Sequence, residues 1–172
     1  MVVADVSVRV AWPADATGIA AVQLRAWQER YDAGPALDVP TLTEAWRQSL
    51  SRPPEARHRA LVALAGDQVV GFALTGPNAD PDADPAADGE MAEFTVSPDA
   101  TRAGHGSRLL QACADTLAAD GFARAVCWLD ATDDVLRAFL TSAGWEADGA
   151  SRELADESGT TLKQVRLHTG LA

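Results

Sequence analysis

The sequence predicts one mixed α/β domain. Its length of 172 residues is the usual size of a single domain. Hydrophobic residues make up 47% of the chain and charged residues 23%, a balance typical of a soluble globular protein. Segments with a period-two pattern and segments with a helical pattern follow one another along the chain, and no linker or internal repeat divides it. We therefore expect one domain over residues 1–172.

The first part of the chain predicts one strand and two helices. Valines alternate with other residues over 6–10, which is typical of a strand. Asp15 is expected to cap a helix that runs to about Tyr31, because apolar residues recur there at helical spacing. A second helix is predicted over about 41–50, and two prolines follow it.

The middle of the chain predicts a hairpin, a loop and a third strand. Residues 58–65 and 69–75 are apolar and flank Gly66-Asp67, a hairpin signal. The segment over about 76–89 is rich in aspartate and interrupted by prolines, so we expect a mobile acidic loop. A strand is predicted over 90–96.

The last part of the chain predicts two helices and three strands. One helix begins at Gly106 and ends near Gly121, and its apolar residues share one face. A strand over 123–129 and a helix over 133–143 come next. The closing strands, over 145–154 and 162–167, are expected to pair with each other.

The charge of the chain argues against nucleic acid as a partner. The chain has 14 Lys and Arg residues and 25 Asp and Glu residues, which gives a formal charge of -11. A duplex-binding protein needs a basic face to replace phosphate counterions, and this chain is strongly acidic. Acidity can attract cationic substrates, although by itself it is more often a solubility feature.

The cysteines and the N-terminal segment indicate a cytoplasmic protein. Cys113 and Cys127 lie in apolar contexts without metal-type spacing, so we expect them to pack in the core of a protein kept under reducing conditions. Residues 1–10 lack the basic region and apolar run of a signal peptide. No uncharged apolar stretch approaches the roughly 18 residues of a membrane span, so no membrane partner is expected.

No metal site is expected. Asp80, Asp82 and Asp84 alternate as in a calcium loop, but Pro85 stands where such a loop needs glycine, so we interpret this segment as a solvated loop. The three histidines, at positions 58, 105 and 168, show no ligand spacing.

The turn before the third predicted helix is suited to an anion. Gly104 and Gly106 lack Cβ atoms, and the first turn of a helix leaves backbone N–H groups without intrahelical acceptors. Arg102 adds a permanent cation, so a pyrophosphate is a natural ligand. His105 lies between the two glycines, and its side chain is expected at the surface. An ordinary glycine-containing turn is the alternative.

Two segments resemble the GNAT superfamily of acyl-CoA-dependent N-acyltransferases. The stretch VSPDATRAGHGSRLL, from Val96, is similar to that family's Val-x-Pro, Gly-x-Gly and Leu-Leu arrangement. The stretch DDVLRAFLTSAGW, from Asp133, is similar to its later helical segment. The predicted order of strands and helices agrees with the family over nearly the whole chain. This chain departs from the pattern at Thr101, Asp133 and Leu140, where the family commonly has Arg or Gln, Asn, and Tyr.

The resemblance implies a sheet that splays into a V after the strand ending at Val96, with acetyl-CoA in the cleft as cosubstrate. The pantetheine arm would pair with the backbone of Phe94 and Val96. The pyrophosphate would lie on the amides of the loop. The implied cofactor-binding residues in and near the loop are Arg102, Ala103, Gly104, His105, Gly106, Ser107 and, at the start of the later helix, Asp133.

The implied activity is transfer of an acetyl group to a primary amine of a small molecule or protein. The Phe94 N–H would donate to the thioester oxygen, and Glu90 would accept the amine proton, with Glu93 as the neighbouring option. The alternative for both glutamates is that they are solvated carboxylates at the edge of a strand, without a catalytic role. The leucine at position 140 carries no proton, so we expect the thiolate to leave without a dedicated acid. Ser142 lies on a different helical face and is a weak substitute.

Aromatic residues of the first two helices are candidates for the acceptor pocket. Trp27 and Tyr31 are the residues we assign to it, and Trp46 is a third candidate. Core packing is the alternative for each of them. The alternative for the whole chain is a non-catalytic module that binds acyl-CoA, and we leave open whether two copies form a homodimer.

Overall fold

The computed structural model describes residues 6–30, 38–100, 103–155 and 158–171, and these build a seven-stranded sheet in the order β1-β2-β3-β4-β5-β7-β6. The strands are β1 (Val6–Val10), β2 (Arg59–Ala65), β3 (Gln68–Pro77), β4 (Asp88–Val96), β5 (Arg124–Asp130), β6 (Glu146–Ala155) and β7 (Thr161–Gly170). The helices are α1 (Ala16–Arg30), α2 (Val39–Ser51), α3 (His105–Ala119) and α4 (Asp134–Ser142). The predicted fold class and element order are confirmed. No described helix has the length and apolar composition to cross a membrane.

The sheet opens between its two central strands. β4 and β5 are parallel neighbours, while every other neighbouring pair is antiparallel. Their pairing covers only the starts of the two strands and ends at Glu90 and Val126. Beyond that point β4 continues to Val96, whereas β5 continues to Asp130 paired with β7 alone. The diverging strands form the V-shaped cleft that the family resemblance implies.

A bulge in β4 changes the direction of its side chains. Leu74 of β3 pairs with Ala92, but Phe72 pairs with Thr95, so Glu93 and Phe94 together stand opposite one residue of β3. Glu93 has φ 57°, the only positive φ at a described residue other than glycine. Side chains of a regular strand alternate strictly, and the extra residue reverses that alternation.

The reversal puts different chemistry on the two sides of β4. Met91, Phe94 and Val96 all pack in or against the core beneath α3, although a regular strand would separate Met91 from the other two. Glu90 therefore lies on the opposite side. Glu93 joins it there, since its charged neighbours are Arg30 of α1 and Asp130 of β5.

Two apolar clusters hold the layers together. The larger lies between the sheet and helices α3 and α4, and the smaller lies between β2, β3 and helix α1. Cys113 and Cys127 belong to the larger cluster, where burial raises the pKa of each thiol to about 12. Both thiols therefore stay protonated near neutral pH, and the predicted core role of the cysteines is confirmed.

The predicted cap of α1 is wrong in its detail. Asp15 ends a short 3₁₀ turn before the helix, and its carboxylate accepts the Trp12 N–H at 2.7 Å. Both oxygens also bind the Arg9 guanidinium, at 2.7 and 2.9 Å. An arginine on the neighbouring strand outcompetes the helix amides because a charged bidentate pair is stronger than a neutral hydrogen bond.

The acidic segment after β3 is shorter than predicted. β3 extends to Pro77 and β4 begins at Asp88, so both strands continue into the range predicted as a loop. The Asn78 N–H donates to the Asp88 carbonyl at 3.0 Å and closes the base of the remaining loop. Its predicted mobility stays a prediction.

Candidate active site

The cleft brings the predicted residues of β4 and α3 together. Glu90, Glu93, Phe94 and Val96 follow one another along the wall that β4 provides, and the start of α3 lies beyond the end of this strand. The Phe94 ring stacks on Phe139 of α4 with their centroids 5.9 Å apart. This aromatic pair joins the two sides of the splayed sheet beneath the carboxylates.

The start of α3 offers open backbone donors next to an apolar gap. Gly104 is the N-cap with φ 86°, a left-handed conformation that favours glycine. Ala103, Gly104 and Ser107 are exposed, and the first intrahelical bond runs from the Arg108 N–H to the Gly104 carbonyl. The amides before Arg108 are therefore left for another acceptor. Thr101 and Arg102 lie outside the described residues.

Gly106 borders the gap between β4 and α4. A Cβ at this position would lie 3.6 Å from Phe139 Cζ and 3.8 Å from Val96 Cγ2. The space beside the glycine is thus walled by apolar side chains and ends at exposed amides. A thioester cofactor with an apolar arm and a pyrophosphate has the chemistry that these residues fit.

His105 is not a surface residue, contrary to expectation. Only 3% of it is exposed, because it begins α3 on the same face as Leu109, which packs in the core. Its Nδ1 atom is buried without a hydrogen-bond partner in the part of the chain that is described. The backbone of His105 remains in the loop predicted to bind the cofactor.

The pKa of each candidate base is raised from the ordinary value of a glutamate. Burial raises the pKa of Glu90, the Asp80 carboxylate raises it further, and Arg152 opposes the shift. Burial also raises the pKa of Glu93, with Asp130 adding to the effect and Arg30 opposing it. Glu93 reaches solvent, yet enough protein surrounds it to disfavour its charge. The two carboxylates also interact with each other, since Glu93 contributes to the shift of Glu90.

Arg30, the last residue of α1, forms ion pairs with residues at the end of β5 and before α4. Its guanidinium contacts Asp130 at 3.2 Å, at the end of β5, and Asp133 at 2.6 Å, before α4. Asp133 also caps α4 by accepting the Leu136 N–H at 3.2 Å. The Asp133 carboxylate is therefore engaged within the protein, and its predicted contact with the cofactor stays a prediction.

The aromatic candidates for the acceptor pocket separate into different environments. Trp27 is half-buried and lies three residues before Arg30. Residues three apart share a helix face, so Trp27 is on the side of α1 where Arg30 forms its ion pairs. Trp46 instead packs edge-on against Phe72 and donates Nε1–H to Gln23 at 2.8 Å, which is a core role. Tyr31 lies outside the described residues.

The side of the sheet that carries Glu90 is unusually charged. Glu90 pairs with Val126, and Trp128 and Asp130 follow on the same face of β5. Across β7 and β6 this surface continues through Arg166, Gln164 and Arg152, which lie directly opposite Trp128, Asp130 and Gln164, respectively. We call this surface the charged face.

Sequence analysis missed the cluster at the centre of the charged face. Arg166 is only 8% exposed and donates to Asp80 at 3.1 Å, Asp82 at 2.7 Å and Asp148 at 2.6 Å. Trp128 donates Nε1–H to Asp80 at 3.0 Å. The interpretation of the aspartates as a solvated loop is wrong for Asp80. A buried arginine needs carboxylate partners. Arg166 on the predicted last strand was therefore the signal in the sequence that aspartates would gather around it.

The end of α4 provides no general acid. Leu140 is fully buried in the larger apolar cluster, as predicted from its position on the apolar stripe. Ser142 donates its hydroxyl to the Phe139 carbonyl at 2.7 Å, so its proton is used by its own helix. Among the described residues no three His, Cys, Asp or Glu side chains are arranged to hold a metal ion.

A groove on the described surface lies beside the cleft rather than inside it. It encloses about 620 Å³ between α3 and α4 and extends toward Trp145 and the end of β7. Ser107 and Phe139 line it as well, so the groove and the cleft meet at the start of α3. A long ligand bound at these amides has an open path along the outside of the helix.

Comparison with protein-family models gives a match to the acetyltransferase (GNAT) family over residues 21–145. A comparison with curated protein sequences gives no significant match.

Solved structures similar to this chain include a ribosomal-protein-alanine N-acetyltransferase from Brucella melitensis, with a TM-score of 0.75 and 23% identity, covering 96% of this chain and 99% of that one. An N-acetyltransferase from Staphylococcus aureus Mu50 has a TM-score of 0.75 and 16% identity, covering 98% and 99%. The Salmonella typhimurium protein yncA, solved with its cofactor acetyl-CoA, has a TM-score of 0.72 and 18% identity, covering 97% and 94%. At these identities the similarity establishes the fold alone.

Proposed function

Because this chain belongs to the acetyltransferase (GNAT) family, we propose that it transfers an acetyl group from acetyl-CoA to a primary amine of a small molecule or protein. The observation that carries the proposal is the arrangement along β4. Two carboxylates of raised pKa, Glu90 and Glu93, lie on one side of the bulged strand, and the apolar gap leading to the α3 amides lies on the other. Amine chemistry and thioester binding would thus meet at one strand.

The cofactor would be held by backbone and apolar groups. We assign the pyrophosphate to the amides from Ala103 to Ser107, where the helix N-terminus favours negative charge. The pantetheine arm would pair with the backbone of Phe94 and Val96, where β4 has no sheet neighbour on its cleft side among the described residues. Acetyl-CoA supplies the acyl carbon and a thiolate leaving group. The comparison structure of yncA contains the same cofactor.

The transfer would need one base and one oxyanion donor. A neutral amine attacks the thioester carbon, a new C–N bond forms, and the C–S bond breaks as the thiolate leaves. Glu90 accepts the proton lost by the amine, with Glu93 as the alternative base. The Phe94 N–H, at the bulge, donates to the carbonyl oxygen as it gains negative charge. The thiolate takes its proton from water, because Leu140 has none to give and the Ser142 hydroxyl is engaged.

Cofactor binding can be tested at Gly106. Acetyl-CoA is expected to raise the Tm of the wild-type protein, because a ligand that binds only the native state stabilises it. Gly106→Val should abolish this shift, since its branched side chain would fill the space between Val96 and Phe139. Thr161→Val is the control, because it introduces the same side chain at an exposed position of β7 that does not line the groove between α3 and α4. A folded Gly106→Val protein with normal acetyl-CoA affinity would contradict the assignment.

A non-catalytic acyl-CoA-binding module is the second candidate, and the buried leucine at position 140 is the observation that favours it. The test is thiol release from acetyl-CoA with a panel of primary amines. Release that depends on both the amine and Glu90 supports the transferase. Tight acetyl-CoA binding with no release for any amine would favour the module instead.

A further inference from the structure

The arginines on the charged face and next to it differ in their partners. Three of them, Arg30, Arg124 and Arg166, each lie within 4 Å of at least two carboxylates. Arg152 is the exception: in the described ranges of the chain, no carboxylate lies that close to its guanidinium, although the surface is rich in aspartate. A half-buried arginine without a counter-ion is unusual where its neighbours each have two or three.

The guanidinium of Arg152 is nevertheless held in place. Its Nε–H donates to Gln164 Oε1 at 2.8 Å, and Gln164 in turn donates to Asp130 at 3.2 Å. Its Cζ lies 4.3 Å from the centre of the Trp128 ring. The side chain thus starts on the edge strand β6, crosses β7 and rests over β5. Stacking on an aromatic ring and one fixed hydrogen bond pre-organise the remaining N–H groups.

The Arg152 guanidinium lies in the part of the charged face that holds the candidate base, because the Trp128 ring that it stacks on is two residues after Val126, the β5 partner of Glu90. The positive charge of Arg152 opposes the upward pKa shift of Glu90, so the two groups interact across the mouth of the cleft. The two Nη atoms have no protein acceptor within the described residues, and their donors form a planar fork. Carboxylates and phosphates are the anions whose oxygens match that fork.

The surroundings select the charge of the whole ligand. Asp80, Glu90 and Glu93 make the cleft mouth acidic, which disfavours a multiply charged anion such as a phosphate. A ligand with one carboxylate and one ammonium group is neutral overall. Its carboxylate can face Arg152 while its amine faces the two glutamates.

We propose that Arg152 binds a carboxylate of the acceptor, and that the acceptor is therefore an amino acid whose amine is acetylated. This inference rests on the proposed function, because it places the amine at Glu90. It adds a recognition residue outside the predicted site.

The test measures binding and turnover separately. Each of the twenty L-amino acids and its carboxamide is titrated into the protein saturated with CoA, at a pH below both amine pKa values so that the two ligands carry the same ammonium charge. We expect at least one free acid to bind tenfold or more tightly than its carboxamide. Arg152→Gln should weaken binding of that acid at least tenfold and leave the carboxamide unchanged, and Arg152→Lys should fall between.

Arg47→Gln is the matched control, because Arg47 is exposed on α2 and pairs only with Glu44 in the described chain. It should change neither Kd. Binding of no amino acid, equal binding of acid and carboxamide, or an equal loss for both in Arg152→Gln would overturn the proposal. An unchanged Kd with a shifted pH profile of turnover would also overturn it, because Arg152 would then act on Glu90 alone. Selective acid binding without thiol release would leave the subsite standing and contradict the proposed function.

Discussion

The two faces of β5 and β7 belong to the same strands and perform opposite tasks. One face contributes Ala125, Cys127, Leu129 and Leu167 to the larger apolar cluster. The other contributes the Trp128 ring and the charged or polar side chains of Asp130, Gln164 and Arg166. Alternation along a strand thus places packing on one side and electrostatics on the other, at spacings of one residue.

The two faces make different energetic demands. The apolar face needs only volume and close packing to be stable. The charged face must give every buried ion a partner, because an unpaired charge in a low-dielectric setting is expensive. The predictions below test whether the apolar side mainly sets stability and the charged side mainly sets the pH response and recognition.

The largest effect is expected on the apolar side. Leu140→Ala removes a fully buried side chain and should lower the free energy of unfolding by about 2–5 kcal/mol. Turnover per folded molecule at saturating acetyl-CoA should stay near the wild-type value, because Leu140 takes no part in proton transfer. Urea unfolding and initial rates measure the two quantities. Val135→Ala, at an 84% exposed position of the same helix, should change neither.

Replacing Arg166 by methionine should lower the free energy of unfolding by about 3 kcal/mol, because Asp80 and Asp148 would be left partly buried without a counter-ion. Burial alone would raise the pKa of Asp148, but the Ala150 N–H and the Arg166 guanidinium outweigh it and hold that pKa below its usual value. A lowered carboxyl pKa stabilises the fold above the ordinary pKa, and this contribution is lost as the pH falls through the folded-state pKa.

The gap in stability between wild type and Arg166→Met should therefore shrink in acid. Urea unfolding at a series of pH values measures it, with Arg47→Met as an exposed control. A gap of the same size at every pH would mean that Arg166 acts through packing instead of charge.

Glu90→Gln tests the charged side at the reaction itself. Turnover should fall by about 10²-fold, at the low end of what a general base contributes. In the wild type, activity should rise with pH as Glu90 loses its proton, and this rise should lie above the ordinary glutamate pKa because burial and Asp80 raise it. The variant should lack that rise and keep its acetyl-CoA affinity. Glu153→Gln, exposed on β6, is the control. An unchanged pH profile would mean that Glu93 or water, and not Glu90, accepts the proton of the amine.

The smallest effect is expected for Ser142→Ala. Its hydroxyl donates within its own helix at an exposed position, so stability should change by no more than about 0.5 kcal/mol and turnover should be unaltered. Initial rates at saturating acetyl-CoA provide the measurement. A large fall in turnover with an unchanged Tm would reveal a hydroxyl acid and contradict unassisted departure of the thiolate.

The apolar side of the molecule was predictable because its signals are local. Leu140 shares a helical stripe with Leu136, and its burial follows from that spacing. The Gly66-Asp67 turn and its two apolar flanks likewise specify the hairpin of β2 and β3 within a short stretch of chain. The element order follows from such patterns.

The charged side was not predictable, because its partners are distant in sequence. Arg166 contacts Asp80 and Asp82 only when β7 and the loop after β3 meet, and spacing within either segment does not reveal this. The bulge at Glu93 was missed for another reason: a positive φ is ordinarily marked by glycine or asparagine, and glutamate carries no such signal.

The bulge in β4 makes the length of that strand as important as its composition. Inserting or deleting one residue between Met91 and Phe94 would turn every later side chain over, so that Phe94 would leave the core side of the sheet for the side that carries Glu90. During divergence, β4 should therefore tolerate many substitutions at positions such as Thr95 while insertions and deletions are eliminated. Homologous sequences aligned through this strand should run without gaps, whatever acceptor each has come to use.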